Sequence, residues 1–317
     1  MKGLKKCLVV LLALAMVLSM AACGGDDGGD AQQSIEGKKI SVMTPYLGSV
    51  TTNQMVEYLQ KGLEDAGAEV TVVNTDNDFA ALASRIEDVV ASGTDAIVLV
   101  SADPNQVANQ LQEAFEADIP VFGCDSGFIE GMKVNATSDN YQMGELIVKY
   151  LFEDLMESKG TVIALTHRPH PGVVKRCEAF DDLIEEYPDI NLITEQHVPA
   201  EQPINDAQDI VENLLLSNSE PGSITAIWAG WDEPAIGATQ ALQEAHRDEV
   251  IVTGVDGNEQ AISLIKEGTN LKATVAQNFE GMAQIVVEQM TKMFAGEEIE
   301  PGEMYAPATL ITPENAE

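Results

Sequence analysis

The chain runs to 317 residues, 45% of them hydrophobic, and sets 17 basic against 52 acidic side chains for a formal net charge of −35. Beyond a leader and a short tether, about 280 residues remain, enough for two domains of ordinary size with a sizeable core. A field of that sign argues against nucleic acid and anionic lipid surfaces as partners, and says little about fold.

Residues 1–22 read as a signal peptide. Lys2, Lys5 and Lys6 form a basic start, and the apolar run Leu8–Leu18 is too short to span a bilayer. Removing this segment takes away three lysines and no acid, so 14 basic against 52 acidic side chains leaves −38. The small residues before Cys23 resemble a bacterial lipoprotein cleavage box, with Met20 where Leu is usual. The resemblance implies that Cys23 becomes the lipidated N-terminus. Residues 23–37 are rich in Gly, Asp and Gln and have almost nothing to bury, which predicts a flexible tether holding an extracytoplasmic body to a membrane anchor, at the cell surface or in the periplasm. No later segment is apolar enough to cross a membrane.

The body alternates strand and helix. Strand Lys39–Thr44 leads to helix Thr51–Ala66, with Met55, Leu59 and Leu63 on one face. Strand Glu69–Asn74 and helix Phe79–Ala91 follow, then strand Ala96–Val100, helix Pro104–Ala117 and strand Val121–Cys124. After Lys133–Asn135 the plan repeats: helix Tyr141–Met156, strand Thr161–Thr166, helix Val173–Glu186, strand Asn191–His197, helix Ile204–Leu216 and strand Ile224–Trp228. Helix Pro234–Ala245, strand Val250–Val255, helix Glu259–Lys266, Leu271–Ala276 and helix Met282–Phe294 close the pattern. Such alternation predicts parallel sheets with right-handed crossovers. The Pro- and Glu-rich tail, Gly296–Glu317, is expected to run over the surface and cross between domains.

One stretch occurs twice. Ile119–Gly127, IPVFGCDSG, is an apolar run that stops at Asp125; Ile251–Gly257, IVTGVDG, stops at Asp256. Upstream, Ala96 to Pro104 and Ala226 to Pro234 both span eight residues, and Ala114 to Asp125 and Ala245 to Asp256 both span eleven. Each copy reads strand, acidic-Pro helix start, helix, strand. Ligands of open α/β sheets sit outside the carboxyl ends of strands. Two like halves, each with an Asp at a strand end, suggest two domains facing one cleft.

The order of elements, the VTGVDG strand end, ATVAQ at Ala273–Gln277 and RCEAF at Arg176–Phe180 resemble the type 1 periplasmic binding proteins, in particular the ribose- and galactose-type group of sugar ABC transporters. The resemblance covers roughly residues 38–306. It implies two Rossmann-like α/β lobes joined by three hinge crossings. The N-terminal lobe would be 38–138 plus 278–305, the C-terminal lobe 139–277 plus 306–317, with ligand between them. The implied ligand-binding residues are Asp125, Arg176, Asp256 and Gln277, with Gln202 where the family places another pocket residue. Carboxylates that accept from neighbouring hydroxyls, a planar guanidinium and an amide suit a sugar. A buried Asp–Arg pair reduces the cost of burying either charge. Departures touch the substrate: Ser126 stands where the ribose pattern has Arg, Tyr46 stands alone where it has an aromatic pair, and Trp231 replaces an Asn before Asp232. Trp231 is read as a stacking plate for a ring.

The expected function is therefore that of a solute-binding protein, not an enzyme. It would capture a sugar or sugar-like polyol, deliver it to an ABC permease, act as a monomer and need no cofactor or metal. A receptor that presents its ligand to a membrane sensor would share fold and pocket. A carboxylate-based glycosidase is disfavoured, because Arg176 should hold the carboxylates ionised and no nucleophile elbow or phosphate-binding loop appears. His167 and His170 flank Pro169, with Pro171 after them, which reads as a rigid loop at the cleft mouth rather than a metal site. Cys124 and Cys177 lack metal spacing. Each neighbours a candidate ligand residue in a different half, so both are expected to be free, buried thiols.

Overall fold

The structure is a computed structural model that describes residues 34–316. The signal peptide, Cys23 and most of the tether lie outside the described residues.

Central strands form where the sequence is apolar throughout. In β3 (Ala96–Val100) and β4 (Val121–Cys124) every residue is buried, as parallel strands covered on both faces require. With β1 (Lys39–Thr44), β2 (Glu69–Asn74) and β5 (Val134–Thr137) they build a first sheet, whose edge strand β2 alternates between exposed and half-buried positions. Helix α1 (Val50–Asp65) turns Met55, Leu59 and Leu63 inward. Helix α2 (Phe79–Ser92) starts on Asp78, whose carboxylate accepts from the Ala81 N–H at 2.8 Å. The helix predicted from Pro104 begins as a 3₁₀ turn, Pro104–Val107, before α3 (Ala108–Glu116).

The second sheet holds β6 (Gly160–Thr166), β7 (Ile190–His197), β8 (Ala226–Ala229), β9 (Ile251–Asp256) and β10 (Leu271–Ala276). Its helices are α4 (Asn140–Lys149), α5 (Pro171–Ile184), α6 (Pro203–Ser217), α7 (Asp232–Glu244) and α8 (Glu259–Lys266). The single helix predicted over Tyr141–Met156 is α-helical only through Lys149. A wider π-helical stretch, Tyr150–Leu155, completes it and buries Leu151 and Phe152.

Helix α9 (Phe279–Phe294) packs back against α1 of the first lobe. The tail does more than run over the surface. Its strand β11 (Gly302–Tyr305) pairs parallel with β5, and β12 (Thr309–Ile311) pairs antiparallel with β10. The sheets thus read β11-β5-β4-β3-β1-β2 and β12-β10-β9-β8-β6-β7. The chain passes between them before α4, after β10 and between β11 and β12. These are two α/β lobes of the kind the resemblance implies. Cys124 and Cys177 are free and buried.

Candidate functional site

Strand ends shape the site. Ser101 after β3, Asp125 after β4 and Asp256 at the end of β9 all have positive φ, at 54°, 50° and 130°. Such backbone costs roughly 1–3 kcal/mol per residue and clusters at functional sites. At Asp125 the main-chain N–H still donates to Ala136 O at 2.8 Å, while the carboxylate accepts from Thr137 Oγ1 at 3.1 Å. At Asp256 the carbonyl accepts from the Gln277 N–H at 2.9 Å, and Oδ1 accepts from Gln277 Nε2 at 2.8 Å. Gly257 follows with φ 73°, and a Cβ there would lie 2.3 Å from Ala276 Cβ, so the tight exit from β9 demands glycine.

Arg176 projects from α5 and is 1% exposed. Its Nη1 lies 3.1 Å from Asp256 Oδ1 and donates to Gly230 O at 2.8 Å; its Nε donates to Asn140 Oδ1 at 2.9 Å. Gly144 makes this placement possible. A Cβ at Gly144 would sit 2.8 Å from the Arg176 Cα and carbonyl oxygen, so α4 and α5 touch backbone to backbone beside the arginine.

These groups line a cavity between the lobes of about 510 Å³ between atoms, open solvent at its mouth included. Tyr46, Asp125, Arg176, Trp231, Asp256 and Gln277 all face it, as their sequence positions imply. Two candidates do not. Ser126 donates its hydroxyl to Ala102 O, and its N–H bonds Asn135 Oδ1 at 3.2 Å, so it turns away from the cavity. Gln202 stands exposed before α6, with Oε1 accepting from Asn205 Nδ2 at 3.2 Å. Ala200, two residues earlier, lines the wall instead.

The wall also includes residues that sequence reasoning did not propose as ligand contacts. Ser49, Thr51 and Thr52 open α1, and Thr52 Oγ1 donates to Ser101 Oγ at 3.2 Å. Glu233 of α7 is buried, and its Oε2 accepts from Ser49 Oγ of the other lobe at 2.9 Å. The acidic-Pro helix start announced Glu233 as a helix signal, with nothing to mark a bond across the cleft. The His167–Pro171 loop lies along the cavity as expected. His170 caps α5, its Nδ1 accepting from the N–H of Gly172 at 3.1 Å and of Val173 at 3.4 Å. Tyr46 meets the rings of His167 and His170 at 6.2 and 6.0 Å, and Trp231 stands edge-on to His167 at 5.9 Å.

Electrostatics correct one expectation. Burial raises the Asp125 carboxyl to about 6, against the pull of Arg176 and with further push from Asp256. Burial also raises Asp256 and Glu233. One guanidinium does not hold the carboxylates at their ordinary values, because desolvation of several acids exceeds its attraction. Behind Asp256 lies Asp232, fully buried, with Oδ1 accepting from Thr274 Oγ1 at 2.7 Å and Oδ2 from the Asn258 N–H at 2.9 Å. Burial, then the Asp256 charge, raises it to about 7. His170, deep beside Arg176, is pushed down to about 3 by burial first and that charge second, so it is neutral. Among the described residues no three His, Cys, Asp or Glu side chains form a metal-holding group.

Comparison with known proteins places this geometry in a family. Residues 40–298 match the family described as periplasmic binding protein domain. The ribose import binding protein RbsB of Bacillus subtilis (strain 168) is 27% identical over 304 residues, covering 94% of this chain and 96% of that protein. The crystal structure of an ABC sugar transporter subunit from Rhodobacter sphaeroides 2.4.1 superposes with a TM-score of 0.84 at 28% identity, covering 89% of this chain and 100% of that one. An ABC transporter solute binding protein from Agrobacterium vitis, solved with bound allitol, has a TM-score of 0.84 at 27% identity, with 89% and 98% covered. By fold, by the elements that carry the cavity and by this match, the chain belongs to the periplasmic binding protein domain family.

Proposed function

We propose that the protein is an extracytoplasmic solute-binding protein that closes on a sugar or sugar-like polyol and delivers it to an ABC permease. The observation that carries this reading is the two-sided wall: Asp125 from one lobe faces the Arg176–Asp256 pair from the other across one cavity. Hydroxyls of a polyol supply the donors such carboxylates need. Ligand bridges the lobes, so binding draws an open–closed equilibrium toward the closed form by its contacts to both sides. Hinge motion is assigned to the three crossings, near residues 138, 277 and 305. The test is a thermal-shift screen of the full chain against sugars and polyols, since a ligand of the folded state raises its melting temperature. A panel without any shift would sink the reading.

Trp231 supplies a local readout. It lines the cavity, while Trp228 is fully buried and stacks on Phe180 at 4.8 Å. Ligand binding is expected to change Trp231 fluorescence and leave Trp228 nearly silent. Titrating Trp231→Phe and Trp228→Phe separates them; a signal that survives in Trp231→Phe and vanishes in Trp228→Phe excludes stacking on Trp231.

Anchoring is assigned to Cys23, on the strength of the leader's apolar run and the small residues before the cysteine. Cells fed a fatty-acid probe should label the wild type, and Cys23→Ala should lose both label and membrane association. Unchanged labelling in that variant removes the anchor from the proposal.

A further inference from the structure

The charge balance of the cavity points beyond a neutral polyol. Three carboxylates line it, Asp125, Glu233 and Asp256, each no more than 5% exposed. Among the described residues Arg176 is the only Lys or Arg on the wall, and it is already engaged by Asp256, Gly230 O and Asn140. Two such acids, Asp125 and Glu233, remain without a cation, and Asp232 adds a further buried acid behind Asp256. Buried charges without partners are costly, and a ligand that brings the missing charge removes that cost.

Open hydrogen-bonding positions have the same polarity. Gln277 gives its amide N–H to Asp256, and its Oε1 is buried with no partner. His167 Nδ1 faces Val198 O at 2.9 Å, so the proton sits on Nδ1 and leaves Nε2 as a buried acceptor, also without a partner. Both belong to residues of the cavity wall and can accept a hydrogen bond but not donate one. The Tyr46 and Trp231 rings add faces that attract a cation.

We propose that the cavity selects a cationic polyol, a sugar- or alditol-sized molecule carrying a protonated amine, with the ammonium set among Asp125, Glu233 and the Arg176–Asp256 pair. This rests on the reading of the cavity as a polyol site and narrows its substrate class. An ammonium donates three hydrogen bonds, offsets one of the two surplus charges, and leaves the hydroxyls of the same molecule for Gln277 and His167.

The test uses matched pairs on the full chain by calorimetry: D-glucosamine with D-glucose, D-galactosamine with D-galactose, and D-glucamine with D-sorbitol. The amine is expected to bind about tenfold or more tightly than its neutral partner. Glu233→Gln and Asp125→Asn, checked for folding by their melting curves, should each shrink that ratio several-fold. Neutral members that bind as tightly as the amines, or a ratio unmoved in both variants, overturn the inference while the polyol reading stands. If no member of any pair binds and the wider sugar panel is also silent, the polyol reading falls and the inference with it.

Discussion

Arg176→Ala is expected to abolish measurable ligand binding and to lower folding stability by about 3–5 kcal/mol, the typical result of removing one partner from a buried ion pair. The guanidinium is 1% exposed and bonds Asp256, Asn140 and the Gly230 carbonyl. Its loss leaves Asn140 Oδ1 and the Gly230 carbonyl without this donor and Asp256 without its cation, and takes away the largest attraction that opposes burial at Asp125. Arg176→Lys should recover only part of the loss, because an ammonium cannot reach three acceptors in the guanidinium's planar arrangement. Arg176→Ala combined with Asp256→Asn should be less destabilised than the sum of the two singles, since the orphaned charge is then gone. Denaturant unfolding at pH 7 measures all four variants. An Arg176→Ala protein within 1 kcal/mol of wild type, or strictly additive singles, would show that the pair does not carry the charge burden assigned to it.

The buried carboxyls of the ligand-free protein are expected to contribute more stability as pH falls from 7 to about 4. Asp125 rises from 3.8 to about 6 and Asp232 from 3.8 to about 7, both chiefly through burial. A carboxyl whose folded value is raised contributes stability that is fully present below its unfolded value and is lost as pH rises through its folded value. The window is therefore about pH 4 to 7, and at about 1.4 kcal/mol per pH unit each group contributes up to roughly 3–4 kcal/mol across it. Both repel Asp256, so the two effects overlap rather than add. His170, pushed from 6.5 down to about 3, and His167, also lowered by burial, act in the opposite direction over the same window, so the carboxyl contribution is read from a variant and not from the wild-type curve alone. Asp95 and Glu195 are lowered and also oppose it, but both are partly exposed and screened. Relief of the −35 net charge on acidification works in the same direction as the buried pair.

Asp232→Asn assigns the effect. Asn Oδ1 can still accept from the Asn258 N–H, and its Nδ2 can donate to Thr274 Oγ1, whose hydroxyl rotates to accept. The variant should therefore melt above wild type at pH 7 and lose that advantage by pH 4. Melting temperatures across this range decide the matter. An Asp232→Asn variant with no advantage over wild type at pH 7, or with an advantage that persists unchanged to pH 4, would contradict it.

The alternation of apolar strands and one-faced helices was legible in the sequence because it is local. β3 and β4 are apolar runs that end at turn signals, and α1 repeats Met55, Leu59 and Leu63 at helical spacing. Strand-end motifs likewise placed Asp125 and Asp256, and the family resemblance added Arg176 and Gln277; all four reach one cavity. What tertiary structure decided is where neighbours of those residues point and what meets them from afar. Ser126 follows Asp125 directly, yet the left-handed turn at Asp125 sends it to Ala102 O instead of the cavity. Glu233 meets Ser49, 184 residues away in sequence, across the two lobes. The tail became strands because each sheet had an edge whose backbone groups needed pairing, a demand no tail residue displays by itself. The raised carboxyls have the same origin: composition counts the acids, but only their burial side by side, with one arginine among them, makes charge the feature that defines the site.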